Sequence, residues 1–331
     1  MAKFTVGVDM GGTNLRIAGY SSEWEKLASV AIPTRVSDGP HTVLADMATA
    51  IRQVIDECGG TGELEGIGVG SPGPIELPEG RLLQPPNLPG FHALELKTEL
   101  EALLKLPVII ESDANAAALA EAHAGAGQKY SIDSLCMLTL GTGVGNGLIF
   151  GGRILHGFRG MAGEAGHVAV WPDGIDCNCG NRGCLELFAS ATGIARMARE
   201  TAYEGRSPRT RELIDQGQPV SARDVAQFAE DGDEGALAVY NTVGRALGLS
   251  LAGLVNILNF PLYVIGGGAS AAWPLFAPAM FQELERASYV YRLTMPEDKY
   301  TFTPGTTNVL PAMLGSDSGL LGAAMVPLYE R

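Results

Sequence analysis

Residues 4–20, Phe4-Thr5-Val6-Gly7-Val8-Asp9-Met10-Gly11-Gly12-Thr13-Asn14-Leu15-Arg16-Ile17-Ala18-Gly19-Tyr20, decide how this chain folds. Phe4, Val6, Val8 and Met10 alternate with Thr5, Gly7 and Asp9, the period of a half-buried strand. Gly11 and Gly12 turn the chain, and residues 13–20 read as a second strand with Leu15 and Ile17 on one face. The turn therefore carries a carboxylate, Asp9, and a hydroxyl, Thr13. Two readings stay open. The bare N–H groups of Gly11, Gly12, Thr13 and Asn14 could hold phosphate oxygens, with Asp9 holding Mg2+ directly or through water. Alternatively this is a plain hairpin turn and Asp9 serves turn chemistry.

A second unit of the same kind follows. Residues 135–140 form a strand pattern, Gly141-Thr142-Gly143-Val144-Gly145-Asn146-Gly147 turns, and residues 148–155 continue as strand. Asn146 stands at the sixth position of a Gly-x-Gly-x-x-Gly fingerprint and strand rather than helix follows, so this is no dinucleotide fold; the absence of a Gly-Lys pair excludes a Walker loop. The echo of residues 4–20 suggests an internal duplication, two related halves facing each other across a cleft. Residues 262–265 add a third strand ending on glycines, Gly266-Gly267-Gly268. Three such turns together look like a cradle for a nucleotide.

The segments between are equally readable. Val43, Met47, Ile51, Val54 and Ile55 recur at helical spacing over residues 41–58. Residues 66–70 are a strand ending on the rigid turn Ser71-Pro72-Gly73-Pro74, and Asn87 sits in a proline-rich loop as a ligand group or a turn residue. Residues 106–111 form a buried strand, followed by Ser112-Asp113-Ala114-Asn115 and an alanine-rich helix to about residue 124. Asp113 thus lies at the carboxyl edge of a sheet, where α/β proteins gather ligands. It is either a helix N-cap or a general base near a hydroxyl. Residues 189–203 and 222–230 read as helices. Gly244, Gly248 and Ala252 form a small-residue stripe on the next one, and a last helix follows Gly315-Ser316-Asp317-Ser318-Gly319.

Residues 163–186 carry the other strong signal: Gly163-Glu164-Ala165-Gly166-His167, then Cys177, Cys179 and Cys184, ending on Glu186. One histidine and three cysteines make the donor set of a closed tetrahedral zinc site. A disulfide is disfavoured because three clustered cysteines leave one over and the chain reads as intracellular. Glu164 and Glu186 flank the four ligands and are read as something else.

Bulk properties narrow the function. At 331 residues the chain is long enough for two domains. Its net charge of −14 repels nucleic acid and anionic membranes, which leaves small-molecule chemistry. Residues 246–282 are uncharged, but Asn256, Asn259, Pro261 and the glycine triplet interrupt them, so a buried helix and strand fit better than a membrane span. Met1-Ala2-Lys3 leads straight into the first strand, so the expected location is cytoplasmic.

These boxes, in this order, resemble the ROK family of repressors and sugar kinases over nearly the whole chain. The resemblance implies an α/β fold of the actin-like ATPase (ribonuclease H-like) type, duplicated, with two lobes around a cleft. A small lobe would comprise residues 1–114 and 316–331, and a large lobe with the zinc site residues 115–315. It implies ATP-dependent phosphorylation of a hexose 6-hydroxyl, with ATP, Mg2+ and Zn2+ as cofactors. Asp113 matches the catalytic base. Ser71, Asn87, Ser112, Glu164, His167 and Glu186 match the sugar side. Asp9, Gly11, Gly12, Thr13 and Asn14, with Gly141, Thr142, Gly143 and Gly145, match the phosphate loops, and Gly266, Gly267 and Gly268 the nucleoside turn. His167, Cys177, Cys179 and Cys184 match the zinc ligands, so His167 would use one ring nitrogen for metal and the other for a sugar hydroxyl.

Two departures stand out. Ser112 replaces the usual Asn, which blurs substrate identity. Asn146 replaces a glycine, which places a side chain near the phosphates or forces positive φ. Glucose is the first expectation, with N-acetylglucosamine, N-acetylmannosamine, fructose, mannose or allose as alternatives. A sugar-responsive regulator would need a DNA-binding module ahead of residue 4. A homodimer or homotetramer without nucleic acid or membrane partners completes the picture.

Overall fold

The computed structural model describes residues 3–85 and 88–330. In chain order the elements are β1 (Phe4–Met10), β2 (Asn14–Ser21), β3 (Lys26–Pro33), α1 (Pro40–Glu57), β4 (Leu64–Ser71), β5 (Ile75–Glu76), β6 (Arg81–Leu82), α2 (Leu96–Leu104), β7 (Ile109–Ser112), α3 (Asp113–Ala124) and α4 (Ala126–Tyr130). Then follow β8 (Leu135–Leu140), β9 (Val144–Phe150), β10 (Arg153–Ile154), α5 (Glu186–Ala189), α6 (Ala191–Tyr203), α7 (Pro208–Asp215), α8 (Ala222–Glu230) and α9 (Glu234–Leu258). The chain closes with β11 (Leu262–Gly266), α10 (Trp273–Ala287), α11 (Tyr289–Thr294), β12 (Asn308–Pro311) and α12 (Ser318–Tyr329).

Two five-stranded sheets share one plan, β3-β2-β1-β4-β7 and β10-β9-β8-β11-β12. In the first, β1 and β2 pair antiparallel with Met10 opposite Leu15, while β4 runs parallel to both β1 and β7. In the second, β10 pairs antiparallel with β9, and β12 parallel with β11. The repeat seen in the glycine turns thus extends to the strand order.

The chain divides into two compact units, Met1–Met137 with Gly147–Gly163 and Ser316–Arg331, and Leu138–Asn146 with Glu164–Gly315. Helix α3 is continuous across position 114/115, the sequence-based boundary, and belongs whole to the first unit.

In the first unit α1 buries Val43, Met47, Ile51, Val54 and Ile55, the positions its spacing picked out, together with Leu44, Ala48 and Ala50. Helix α12 lies directly on β1 and β4, and glycine makes this possible: a Cβ on Gly7 would collide with Leu320 O, and one on Gly68 with Ala323 O. Strand β7 is shorter than residues 106–111 suggested, because Pro107 lacks the N–H a ladder needs. Residues 148–155 form not one strand but a hairpin, broken at Gly151 and Gly152, whose φ values are 57° and 77°.

In the second unit the 25-residue α9 is the central helix. Asp233 caps it by accepting the Ala236 N–H at 2.9 Å, and Asn259 ends it in the left-handed region. Helix α10 packs along its small-residue stripe, with a Cβ on Gly248 falling 2.6 Å from Met280 O. Helix α7, absent from the sequence reading, buries only Thr210, so no apolar stripe announces it. Among the described residues no helix is long and apolar enough to cross a membrane.

Candidate active site and metal centre

In the first unit the β1–β2 turn is a tight hairpin: Gly11 N–H donates to Asn14 O at 3.0 Å, and Thr34 closes it from the side through Gly11 O and Thr13 O. Asp9 stands directly opposite Arg16 across the two strands. The Arg16 guanidinium donates to Asp9 Oδ2 from Nε at 3.0 Å and also from Nη2. It further reaches Ser316 O at 2.8 Å and Asp317 Oδ1 at 3.6 Å, and Lys26 pairs with Asp317 at 2.8 Å. Sequence reading missed Arg16. The signal was available: a hairpin pairing Met10 with Leu15 must set residue 16 against residue 9.

Asp113 is the first residue of α3, and Ser112 occupies the N-cap position without a capping side-chain bond. The N-cap reading of Asp113 therefore fails. Its carboxylate is exposed, and Oδ1 accepts the Ala114 N–H at 2.7 Å. The helix N-terminus favours its negative charge. Ser112 faces Ser71 across the parallel β4–β7 pair. Ser71 is fully buried, with its hydroxyl donating to Pro72 O at 3.3 Å, so it shapes the turn from inside. Asn87 lies outside the described residues.

In the second unit the loop Gly141–Gly145 is fastened to the start of α6. Ala191 N–H donates to Gly141 O at 2.8 Å and the Thr192 hydroxyl to Thr142 O at 2.9 Å. Val144 N–H donates to Glu186 Oε2 at 2.9 Å. Gly267, at φ 83°, lies against the residue preceding this loop: its Cβ would fall 2.6 Å from Leu140 N. The two glycine turns are therefore neighbours. Asn146 does not adopt positive φ; it is an ordinary buried residue of β9, so the expected strain is absent.

The metal donor set converges. His167, Cys177, Cys179 and Cys184 place their ligand atoms within 4.8 Å of one another. Cys179 Sγ lies 3.7 Å from Cys184 Sγ, and Cys177 Sγ 3.9 Å from His167 Nδ1. Tetrahedral zinc with Zn–S near 2.3 Å puts sulfurs about 3.8 Å apart, so the spacing fits. No disulfide is formed by these cysteines. Burial and the two adjacent thiols push Cys184 up to about 12, whereas hydrogen bonds from the Asn181 backbone and the neighbouring cysteines hold Cys179 below the ordinary thiol value against its burial. Zn2+ bound here would hold the thiolates and fix the His167 ring through Nδ1, leaving Nε2 for another partner.

The same stretch presents two carboxylates. A short 3-10 turn, Ala165–His167, separates Glu164 from the metal ligand, with His167 N–H donating to Glu164 O at 3.0 Å. Burial raises the Glu164 carboxyl above the ordinary range; His167 opposes this shift and Glu186 adds to it. Glu186, the first residue of α5, reaches the glycine loop through Val144. Gly143 leaves room for that carboxylate: a Cβ there would sit on Glu186 Oε2.

The chain is 38% identical to a glucokinase of Halalkalibacterium halodurans over 97% of its own length and 93% of that protein. It is 37% identical to a glucokinase of Thermotoga maritima, covering 98% and 97%. A ROK family glucokinase from Streptomyces griseus, solved in complex with glucose and AMPPNP, superposes with a TM-score of 0.78 at 29% identity, covering 98% of both chains. The duplicated α/β architecture is that of the actin-like ATPases, and residues 5–328 match the ROK family. The chain belongs to the ROK family.

Proposed function

We propose that this protein is an ATP-dependent glucokinase that transfers the γ-phosphoryl group to the 6-hydroxyl of glucose. The observation that carries the reading is the 164–186 stretch. With a metal on its four ligands, this turn would supply a His167 Nε2 donor beside two carboxylates, Glu164 and Glu186, a donor–acceptor set suited to the vicinal hydroxyls of a hexose. The glucokinases of similar length and sequence support the same substrate. The S. griseus complex with glucose and AMPPNP supports ATP as donor.

In this mechanism Asp113 accepts the proton of the sugar 6-hydroxyl as that oxygen attacks the γ-phosphorus in line and the bond to the leaving ADP breaks. Its exposed carboxylate, held by the Ala114 N–H at a sheet edge, supports this reading. The N–H groups of Gly11–Asn14 and Gly141–Gly145 take the phosphate oxygens. Mg2+ arriving with ATP would neutralise phosphate charge near Asp9, whose carboxylate is held by Arg16. The sugar ring is held by Glu164, His167 and Glu186, with Asn87 and Ser112 as further contacts.

The test is ATP consumption across glucose, mannose, fructose, allose, N-acetylglucosamine and N-acetylmannosamine, with and without Mg2+. Glucose should give the highest kcat/KM, and only with Mg2+. A preference of tenfold or more for another hexose, about 1.4 kcal/mol, would overturn the assignment.

A further inference from the structure

Two residues ahead of Asp113 lies a carboxylate for which phosphoryl transfer has no use. Glu111 is buried, its side chain 2% exposed. Oε1 accepts the Ser112 N–H at 2.7 Å and the Asn115 side-chain amide at 2.9 Å. Oε2 is met by His156 Nε2 at 2.6 Å. Ser112 precedes Asp113 and Asn115 lies two residues after it. One oxygen of Glu111 therefore grips the chain on both sides of Asp113, and the other is engaged by a histidine from the segment that follows β10.

An ionised carboxylate at this depth costs several kcal/mol unless it is matched by donors and charge. Here three donors match it. The amide oxygen of Asn115 finds no partner among the described residues, so the bond to Glu111 is what that side chain contributes. His156 is itself placed, since its carbonyl accepts the Ala162 N–H at 3.0 Å. The charged groups that face it are Glu111 on β7, Glu330 after α12 and Arg153 on β10. Of these the hydrogen bond to Glu111 dominates and holds the imidazole above its ordinary range; burial opposes the shift, Glu330 adds to it and Arg153 opposes it.

We propose that the His156–Glu111 pair is the positioning device for the Asp113 carboxylate, and that the charge on His156 sets an alkaline limit to turnover. The inference rests on the reading of Asp113 as base. A general base must lie within hydrogen-bond reach of the proton it takes, and a displacement of about 1 Å lowers rates by about 100-fold. With His156 charged, its hydrogen bond to Glu111 Oε2 is charge-assisted and tight. With His156 neutral, the bond to Oε2 falls to roughly half its strength and the grip on Ser112 and Asn115 loosens. The sugar contacts of Glu164, His167 and Glu186 are untouched and Ser112 alone of the sugar-side residues is reached, so kcat should respond far more than KM for glucose.

The experiment compares wild type, His156→Gln and His156→Phe for kcat, KM and Tm between about pH 6 and about pH 9. Gln keeps a neutral donor, whereas Phe has none. Wild-type kcat should fall roughly three- to tenfold on the alkaline side, a decline that His156→Gln lacks. His156→Phe should lower kcat by about ten- to 100-fold with KM for glucose within about threefold. An alkaline decline retained in His156→Gln overturns the proposal even where His156→Phe does not fold. So does a folded His156→Phe with kcat within about twofold of wild type. Asp113→Asn is measured alongside: turnover in that variant removes the base itself, whereas its loss together with normal His156 variants removes only the positioning role.

Discussion

Gly143→Ala isolates the link between the sugar side and the glycine loop. Gly143 does not have positive φ, so alanine is conformationally free there. The added Cβ would sit on Glu186 Oε2 and 3.3 Å from Glu186 Cδ, with no other heavy atom within 4 Å. The far end of a flexible side chain is what must move. Glu186 should swing away and release the Val144 N–H that it accepts at 2.9 Å. A hydrogen bond to a charged group is worth about 1.5–3 kcal/mol. If Glu186 binds glucose, loss of its alignment should raise KM for glucose by roughly 10- to 150-fold. The backbone fold should persist, with Tm lowered by no more than about 10 °C. Steady-state kinetics with saturating ATP, plus a melting curve, read both. A variant with the wild-type KM for glucose and wild-type Tm would refute the placement of Glu186.

Three further outcomes follow from the same geometry. Cys179→Ser should lose bound zinc by mass spectrometry and raise KM for glucose by about 10- to 100-fold, because the His167 ring loses its anchor; a zinc-free variant with unchanged KM would cut that link. On α9, Gly248→Ala should destabilise by about 1–3 kcal/mol, since its Cβ meets Met280 O at 2.6 Å. Gly253→Ala, in open space on the same helix, should stabilise by about 0.5–1 kcal/mol; thermal melts showing the same sign for both would contradict the packing. The folded-state pKa of His156 is raised, so its pairing stabilises the protein below the unfolded value near 6.5 and loses that contribution as pH rises through the folded value. His156→Gln should therefore lower Tm more at about pH 6 than at about pH 9.

What the sequence made legible was local and periodic. Residues 4–20 announce their hairpin because alternation and two glycines are consecutive in the chain. The repeat of strand, glycine turn and strand at 135–150 carried the duplicated sheet order. The zinc ligands were readable because cysteines in this spacing have few other uses. Other features depend on partners far apart. His156 and Glu111 are 45 positions apart, and nothing in either neighbourhood marks the other. Arg16 carries no motif of its own, and only the strand register sets it on Asp9. Asn146 looked strained only under the assumption that the second glycine turn extends that far, whereas β9 already begins at Val144. Helix α7 is nearly all polar outside and carries no stripe to read.

Phosphoryl transfer here depends on Asp113 acting as a base toward a sugar held by other residues. Asp113→Asn, loaded with zinc, should bind glucose by calorimetry within about threefold of the wild-type Kd, yet form glucose 6-phosphate at least about 1,000-fold more slowly. Turnover within about tenfold of wild type in that variant would contradict it.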